Sequence, residues 1–376
     1  MSISINGGLN AINLATKASE KVVERFKIGS CTEGLFTQDY SWKGVRTVEV
    51  RSIDNLPLND YSATAVDGSN RFGALTEVGD TIQTMTVAQD KSFNGIIDKA
   101  NNTSVLMTKA AGRVLKRQTD EVIIPYVDKY RLEALAKQAG SGYFLGATAL
   151  SSSNIIEHIM KANALMSNNL VPDTGRVLFM GYTLAVNLKL ASQVVGIDKL
   201  GEQAIVNGVM GKVDKCQVRL VPDNYMPAGV NFMIIKTGVA CAPKKIETYR
   251  VLDNVHIVDG SLVQGRLMHD CFVLAAKNKG VLVCMAAPAS VEAGSNQSIV
   301  KTHTYQLAPT MKLFAGGADI DASQVATYAS ATTANATVDA NGLITVPAGA
   351  TTNGTSVITV TVGTATDTMT VTATAS

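Results

Sequence analysis

Residues 8–26 place Leu9, Ile12, Ala15, Val22, Val23 and Phe26 on one helical face, with Ser19 among them. Lys17, Glu20, Lys21, Glu24 and Arg25 fill the other positions, so an amphipathic N-terminal helix is expected. An irregular stretch follows through Cys31 to Lys43. At 45–52 and 80–88 the period changes to two, with Val, Ile and Thr alternating with charged or polar residues, which predicts strands. The segment between them, NLPLNDYSATAVDGSNRFGALTEVG, is dense in Asn, Asp, Gly, Ser and Pro. Together they make a long two-stranded arm with an extended tip. Such an arm is marginal alone and has to lie against something.

A short apolar piece, SFNGIID, leads to a second helix over 104–118, with Asn101, Asn102 or Thr103 as its cap. Met107, Ala111, Val114 and Leu115 share one side, and Lys109, Arg113, Lys116 and Arg117 the other. The helical pattern resumes over 120–140, where Pro125 lacks the donor for the Glu121 carbonyl and predicts a kink or break, and Gly140 a stop. From 141 to about 300 the pattern is mixed. Residues 153–168 and 182–192 read as helices and RVLFMG (176–181) as a buried strand. Further strand candidates are KCQVRLVP, VNFMIIKTG, KIETYRVL, and the pair HDCFVLAA and GVLVCMAA joined by KNKG. From Ala315 onward Thr, Ala and Val dominate in short runs separated by turns such as Asn341-Gly342 and Asn353-Gly354, which predicts a small all-β sandwich. The fold class expected is α+β, with an all-β tail.

Composition sharpens this picture. The 376 residues suit two or three domains. Only 17% are charged, below the usual share of about a quarter, as suits a chain that hides surface against its own copies. The formal net charge of +2 is unevenly spread. Residues 314–376 hold Asp319, Asp321, Asp339 and Asp367 and no base, so that segment carries −4 and residues 1–313 carry +6. Residues 53–90 hold six acids, Asp54, Asp60, Asp67, Glu77, Asp80 and Asp90, against Arg71 alone. Residues 99–119 hold five bases, Lys99, Lys109, Arg113, Lys116 and Arg117, and no acid. Opposite blocks this close in sequence fit a complementary interface or two separately solvated faces. Met1 is followed by no basic and apolar signal, and no apolar run reaches a bilayer's span, so manufacture in a cytoplasm is expected. The five cysteines form no C-x-x-C pair and read as reduced thiols.

The chemistry of an enzyme is not legible. His158, His256, His269 and His303 lie far apart without metal-ligand spacing. GVMGKV lacks the flanks of a phosphate loop, and GSGYFLG misses the dinucleotide spacing. Asp319-x-Asp321-x-Ser323 opens like a calcium loop without completing one. No nucleophile comes with a partnered histidine. The reading is a non-enzymatic chain with no catalytic residue, cofactor or metal.

Three stretches carry a resemblance. DKSFNGIIDKANN followed by GRVLKRQTDEVIIPYVDKYRLEALAK is similar to the approach and spine helix of the major capsid proteins of tailed bacteriophages, the HK97-like fold. NGVMGKVDKCQVRLVPDNYMP resembles that family's body motif, although Cys216 stands where relatives often have Gly. GRLMHDCFVLAAKNKGVLVCM resembles its closing strands. The resemblance covers about residues 1–305. YASATTANATVDANGLITVPAGATTNGTSVITVTV resembles bacterial immunoglobulin-like domains of the BIG2 type, with Tyr328 where many members have Trp.

The resemblance implies an N-terminal arm (1–43), an extended loop (44–90), a spine-helix region (102–140) and an α/β body (141–305), followed by an Ig-like sandwich at 306–376. It implies a shell protein that forms pentamers and hexamers around double-stranded phage DNA, which it contacts non-specifically, with no membrane involved. The Ig-like domain would face outward. The portal and separate scaffolding or decoration proteins would be its partners, the virion head its location and the host bacterial cytoplasm its place of assembly. No cleaved N-terminal scaffolding segment is expected. In that family the extended loop rests on a neighbouring subunit near its spine helix. Asp54, Asp60, Asp67, Glu77, Asp80 and Asp90 would thus dock on Lys109, Arg113, Lys116 and Arg117 of a neighbour, and a rival use of that basic face is contact with DNA phosphates. Alternatives are an encapsulin-like nanocompartment shell, or a surface-binding protein with an Ig module.

Overall fold

The computed structural model describes residues 29–42, 45–63, 71–104, 111–191, 211–253 and 259–375. The expected helix at 8–26 lies outside them. Contacts divide the chain into two units, one holding residues 92–123 and 248–266, the other 29–91, 124–247 and 267–376.

The two-stranded arm forms as its alternation requires. β1 (Thr47–Ile53) pairs antiparallel with β2 (Asp80–Thr86), with Thr47 opposite Thr86 and Ile53 opposite Asp80. Val48 and Val50 face inward at its root, beside the buried cluster of Trp42, Met85, Val87, Cys241, Met268 and Leu274. SFNGIID is the latter part of a longer strand, β3 (Gln89–Asp98). The next helix starts earlier than expected, as α1 (Lys99–Ser104), because Asp98 and not Asn101–Thr103 supplies the cap: its carboxylate accepts the Asn101 N–H at 2.9 Å. α2 (Ala111–Gln118) passes into a π-helical turn (Thr119–Ile123) and then α3 (Ile124–Lys137). The expected break at Pro125 is thus a widened turn, where the wider i→i+5 pattern lies just before the residue that lacks a donor.

In the larger unit, the body is built on β4 (Ser141–Phe144), α4 (Ile155–Asn168), β5 (Arg176–Gly181), α5 (Tyr182–Leu190), β6 (Lys212–Val213), β7 (Cys216–Val221) and β8 (Val230–Lys236). Then come β9 (Ala240–Cys241), β12 (Phe272–Val273) and β13 (Val281–Met285), while β10 (Lys244–Asp253) and β11 (Gly260–His269) run mostly through the smaller unit. Six of these strands make one mixed sheet in the order β4-β13-β8-β5-β7-β6. Its central strands are buried on both faces, which is why they read as unbroken apolar runs. The pleat sorts their side chains by alternation. Val177 and Phe179, Met233 and Ile235, and Val281 and Val283 meet Leu132 and Leu135 of α3 on one face. Leu178 and Met180, Phe232 and Ile234, and Leu282 and Cys284 meet Ile155, Ile159 and Met166 of α4 and Leu188 of α5 on the other. The two strands joined by KNKG do not pair with each other. β12 pairs with β9, residues 275–280 are a 3-10 turn, and β13 joins β4 and β8.

The smaller unit contains the three-stranded sheet β10-β11-β3 with α1 and α2. Phe93 and Tyr249 stack there at 6.1 Å over Gly265.

The tail forms β14 (Ser290–Glu292), β15 (Gln297–Val300), β16 (Thr304–Gln306), β17 (Thr310–Lys312), β18 (Ile320–Asp321), β19 (Thr327–Ser330), β20 (Thr337–Val338), β21 (Leu343–Thr345), β22 (Thr355–Val362) and β23 (Ala365–Thr374). Sheets β15-β23-β22-β19, β16-β21-β20 and β14-β17-β18 enclose a common core of Ile299, Ile344, Ile358, Val360 and Met369. β14 and β15 precede residue 306 yet pair with β17 and β23 beyond it, so this β layer begins at Ser290. Among the described residues no helix is long and apolar enough to cross a membrane.

Candidate inter-subunit surfaces

The arm tip is the most solvent-exposed apolar segment described. Between β1 and β2, Leu58 is fully exposed and Leu75 is 95% exposed, with Leu56, Tyr61, Phe72 and Val78 also exposed. Large exposed apolar side chains gathered on one segment mark a contact surface. The tip is nevertheless ordered locally. Tyr61 and Phe72 meet edge to face at 5.2 Å, and the Ser62 N–H donates to the Arg71 carbonyl at 3.0 Å. The Asn59 side-chain amide donates to the Phe72 carbonyl at 3.3 Å. Gly73 lies beside it at φ +86°, where a Cβ would sit 2.6 Å from that of Asn59, so only glycine fits this turn.

Of the acids singled out in the sequence, Asp54, Asp60, Glu77 and Asp80 fall along this arm and Asp90 on β3. Asp54, Asp60, Glu77, Asp80 and Asp90 are exposed, and Asp67 lies outside the described residues. Asp80 pairs with Arg51 at 3.2 Å, and Asp54 accepts the Thr81 hydroxyl at 3.0 Å. Of the bases, Arg113 and Lys116 are exposed on α2, and Lys109 lies outside the described residues. Arg117 is half-buried and turned to its own helix: its Nε donates to Glu121 at 3.1 Å, and its second donor reaches the other carboxylate oxygen at 3.4 Å. That leaves Arg113 and Lys116 as the outward cations of this helix.

A clasp with no signal in the sequence ties residues 30–32 to α3. Asp128 of α3 is buried and accepts the Ser30 hydroxyl at 2.8 Å, the Cys31 N–H at 2.8 Å and the Thr32 hydroxyl at 2.6 Å. Arg131 donates to the same Thr32 hydroxyl at 3.1 Å, and its guanidinium lies 4.9 Å over the Phe36 ring. No spacing signals such a link between residues nearly a hundred positions apart.

The geometry offers little for covalent chemistry. Burial, with the Asp128 carboxylate beside it, pushes the Cys31 thiol up to about 12, and burial pushes Cys216 and Cys241 up to about 11 and Cys271 and Cys284 higher still. Thiols held this way carry almost no nucleophilic thiolate at neutral pH. His158 Nδ1 lies 2.8 Å from the Tyr143 hydroxyl, His303 is exposed, and His256 lies outside the described residues. Among the described residues no three His, Cys, Asp or Glu side chains converge to hold a metal ion. The architecture presents surfaces: an apolar acidic arm tip, an exposed basic helix face and a β-rich tail.

No family model matches the chain, and no curated protein matches it in sequence. Solved structures do match in shape. A chain of Mycobacterium phage Che8 superposes with a TM-score of 0.61 at 16% identity, covering 74% of this chain and 98% of that one. The capsid structure of the cyanophage P-SCSP1u gives 0.59 at 14%, covering 73% and 93%. The mature capsid of bacteriophage PhiM1 gives 0.57 at 10%, covering 73% and 92%. The neighbours are matched almost end to end, while about a quarter of this chain lies outside each match. The chain has the fold of phage capsid proteins.

Proposed function

We propose that this chain is the major capsid protein of a tailed phage, an HK97-like subunit that assembles into the icosahedral head enclosing double-stranded DNA. The observation that carries this reading is the fold shared over nearly the whole length of phage capsid chains. Low charge density and an arm tip with exposed apolar side chains support it, since both suit a surface that meets other copies. Rings of five and six use heterologous contacts, in which a projecting element of one copy meets a different surface of the next.

In this reading the arm of one subunit lies on a neighbour. Asp54, Asp60, Asp67, Glu77, Asp80 and Asp90 face a basic surface formed by Lys109, Arg113, Lys116 and Arg117. Leu58, Leu75 and Phe72 supply the burial that exposed ion pairs, at about 0–1 kcal/mol each, do not. Arg113 and Lys116 carry most of the charge contact, because Arg117 already has Glu121. The β-rich tail is an Ig-like domain on the outer face. The portal, and scaffolding or decoration proteins where used, are further partners in the virion, and assembly takes place in the host cytoplasm.

Sedimentation of the purified chain with nucleic-acid analysis of the particles tests this reading. Fast-sedimenting particles that package DNA in an infected cell are expected. Particles filled with a protein cargo and no DNA would place the chain in a nanocompartment instead.

A further inference from the structure

His269 closes β11 and is 1% exposed. Two tyrosines of α3 hold its ring edge to face: Tyr126 at 5.8 Å and 85°, Tyr130 at 5.2 Å and 90°. Neither imidazole nitrogen has a hydrogen-bond partner among the described residues. Both tyrosine hydroxyls are committed elsewhere. Tyr130 donates to Asp270 Oδ1 at 2.6 Å, and the Tyr126 hydroxyl lies 3.4 Å from Gln89 Oε1. Asp270 accepts the Cys271 N–H on Oδ1 and the Ala88 N–H on Oδ2, each at 2.8 Å. The imidazole therefore fills the junction of α3, the end of β11 and the strand turn at 88–91.

Among the described residues, the charged groups acting on it are mostly cations, Arg131 from α3, Lys91 from β3 and Lys244 from β10, with Asp270 opposing them. Lys91 also lies 5.9 Å over the Tyr126 ring. We propose that His269 is an acid-sensitive lock at the root of the arm: neutral, it packs as an aromatic plug between α3 and residues 88–91, and protonated, it breaks that packing and loosens the root. A charged imidazole here would be a desolvated cation beside three others, with no acceptor placed for its two N–H groups.

Burial, reinforced by Arg131, holds the imidazole pKa down to about 4, below the ordinary value of about 6.5. The unfolded chain takes up the proton first. The stabilising effect of the neutral ring is full above about pH 6.5 and is lost as pH falls towards about 4.

The test compares the full chain with His269→Phe, which keeps a neutral ring. Thermal midpoints and backbone hydrogen exchange at residues 86–91 would be followed between about pH 7.5 and 4. In the unaltered chain the midpoint should fall and exchange at 86–91 should rise across that range, and His269→Phe should flatten both. Equal pH slopes in the two proteins would overturn the proposal. Should the Phe variant fail to fold, ring NMR of the unaltered chain decides. A titration near pH 4, with Tyr126 and Tyr130 shifts moving in step, supports the lock, and one near 6.5 overturns it. The measurement needs no assembled particle, so its outcome is independent of the shell reading.

Discussion

Thr32 donates its hydroxyl to Asp128 at 2.6 Å, and both residues are buried. Through this bond and its two neighbours, the start of the described chain is fixed to α3 and hence to the central sheet. Replacing Asp128 by Ala orphans the buried Thr32 hydroxyl and the half-buried donors of Ser30 and Cys31. An unsatisfied buried donor costs about 1–3 kcal/mol, and some of these reach water after relaxation, so a loss of roughly 2–4 kcal/mol is expected. Urea unfolding of Asp128→Ala against Asp128→Asn reads it, since the amide keeps one acceptor. Equal stability of all three proteins would show that the clasp contributes nothing.

The arm tip separates folding from assembly. Leu58→Ser combined with Leu75→Ser changes side chains that touch almost nothing within the subunit, so unfolding should shift by no more than about 0.5 kcal/mol. Burying a leucine at an interface is worth about 1.5–3 kcal/mol. Assembly, followed by light scattering, should therefore need at least about tenfold more protein. Unaltered assembly would remove the tip from the contact.

The basic helix face gives a graded charge test. Arg113→Glu with Lys116→Glu should weaken assembly and reduce its sensitivity to salt, because both side chains are exposed. Arg117→Glu should chiefly lower helix stability, because it sets two acids at i and i+4 where Arg117 and Glu121 now pair. Assembly at several ionic strengths, with circular dichroism of each variant, distinguishes these effects. A larger assembly defect from Arg117→Glu than from the exposed pair would reverse the assignment.

Removal of residues 310–376 tests the tail. It takes away the strands that pair with β14 and β15 and leaves Val291 and Ile299 without a core. It also removes Leu313, which is buried beside α3 and β13 in the body. A thermal midpoint lowered by several degrees is expected, in line with the loss of a few kcal/mol. A truncated chain as stable as the whole would make the tail an independent appendage.

The strands of the central sheet were legible because burial on two faces forces apolar runs such as RVLFMG and VLVCM. The arm was legible because β1 buries one face only and its alternation shows. Other features depend on pairings that composition does not carry. KNKG looks like a hairpin turn, yet β13 finds its neighbours in β4 and β8, far away in sequence. The compositional change near residue 305 comes after β14 and β15, whose partners lie up to about 74 residues downstream. The helix cap went to Asp98 because four polar residues compete within six positions and only geometry chooses among them. The candidate surface was half legible. Its charges stand out in the sequence, but Leu58 and Leu75 look like core residues until the structure leaves them in water. The His269 junction gives no sequence signal, since it is assembled from four separate segments.

Electron microscopy of the purified full chain shows whether its copies close into a shell. Uniform icosahedral particles are expected, with the arm of each copy lying on its neighbour in the subunit density. A chain that remains a monomer or a small open oligomer, with its arm tips in solvent, under every condition in which it is folded would contradict the shell reading.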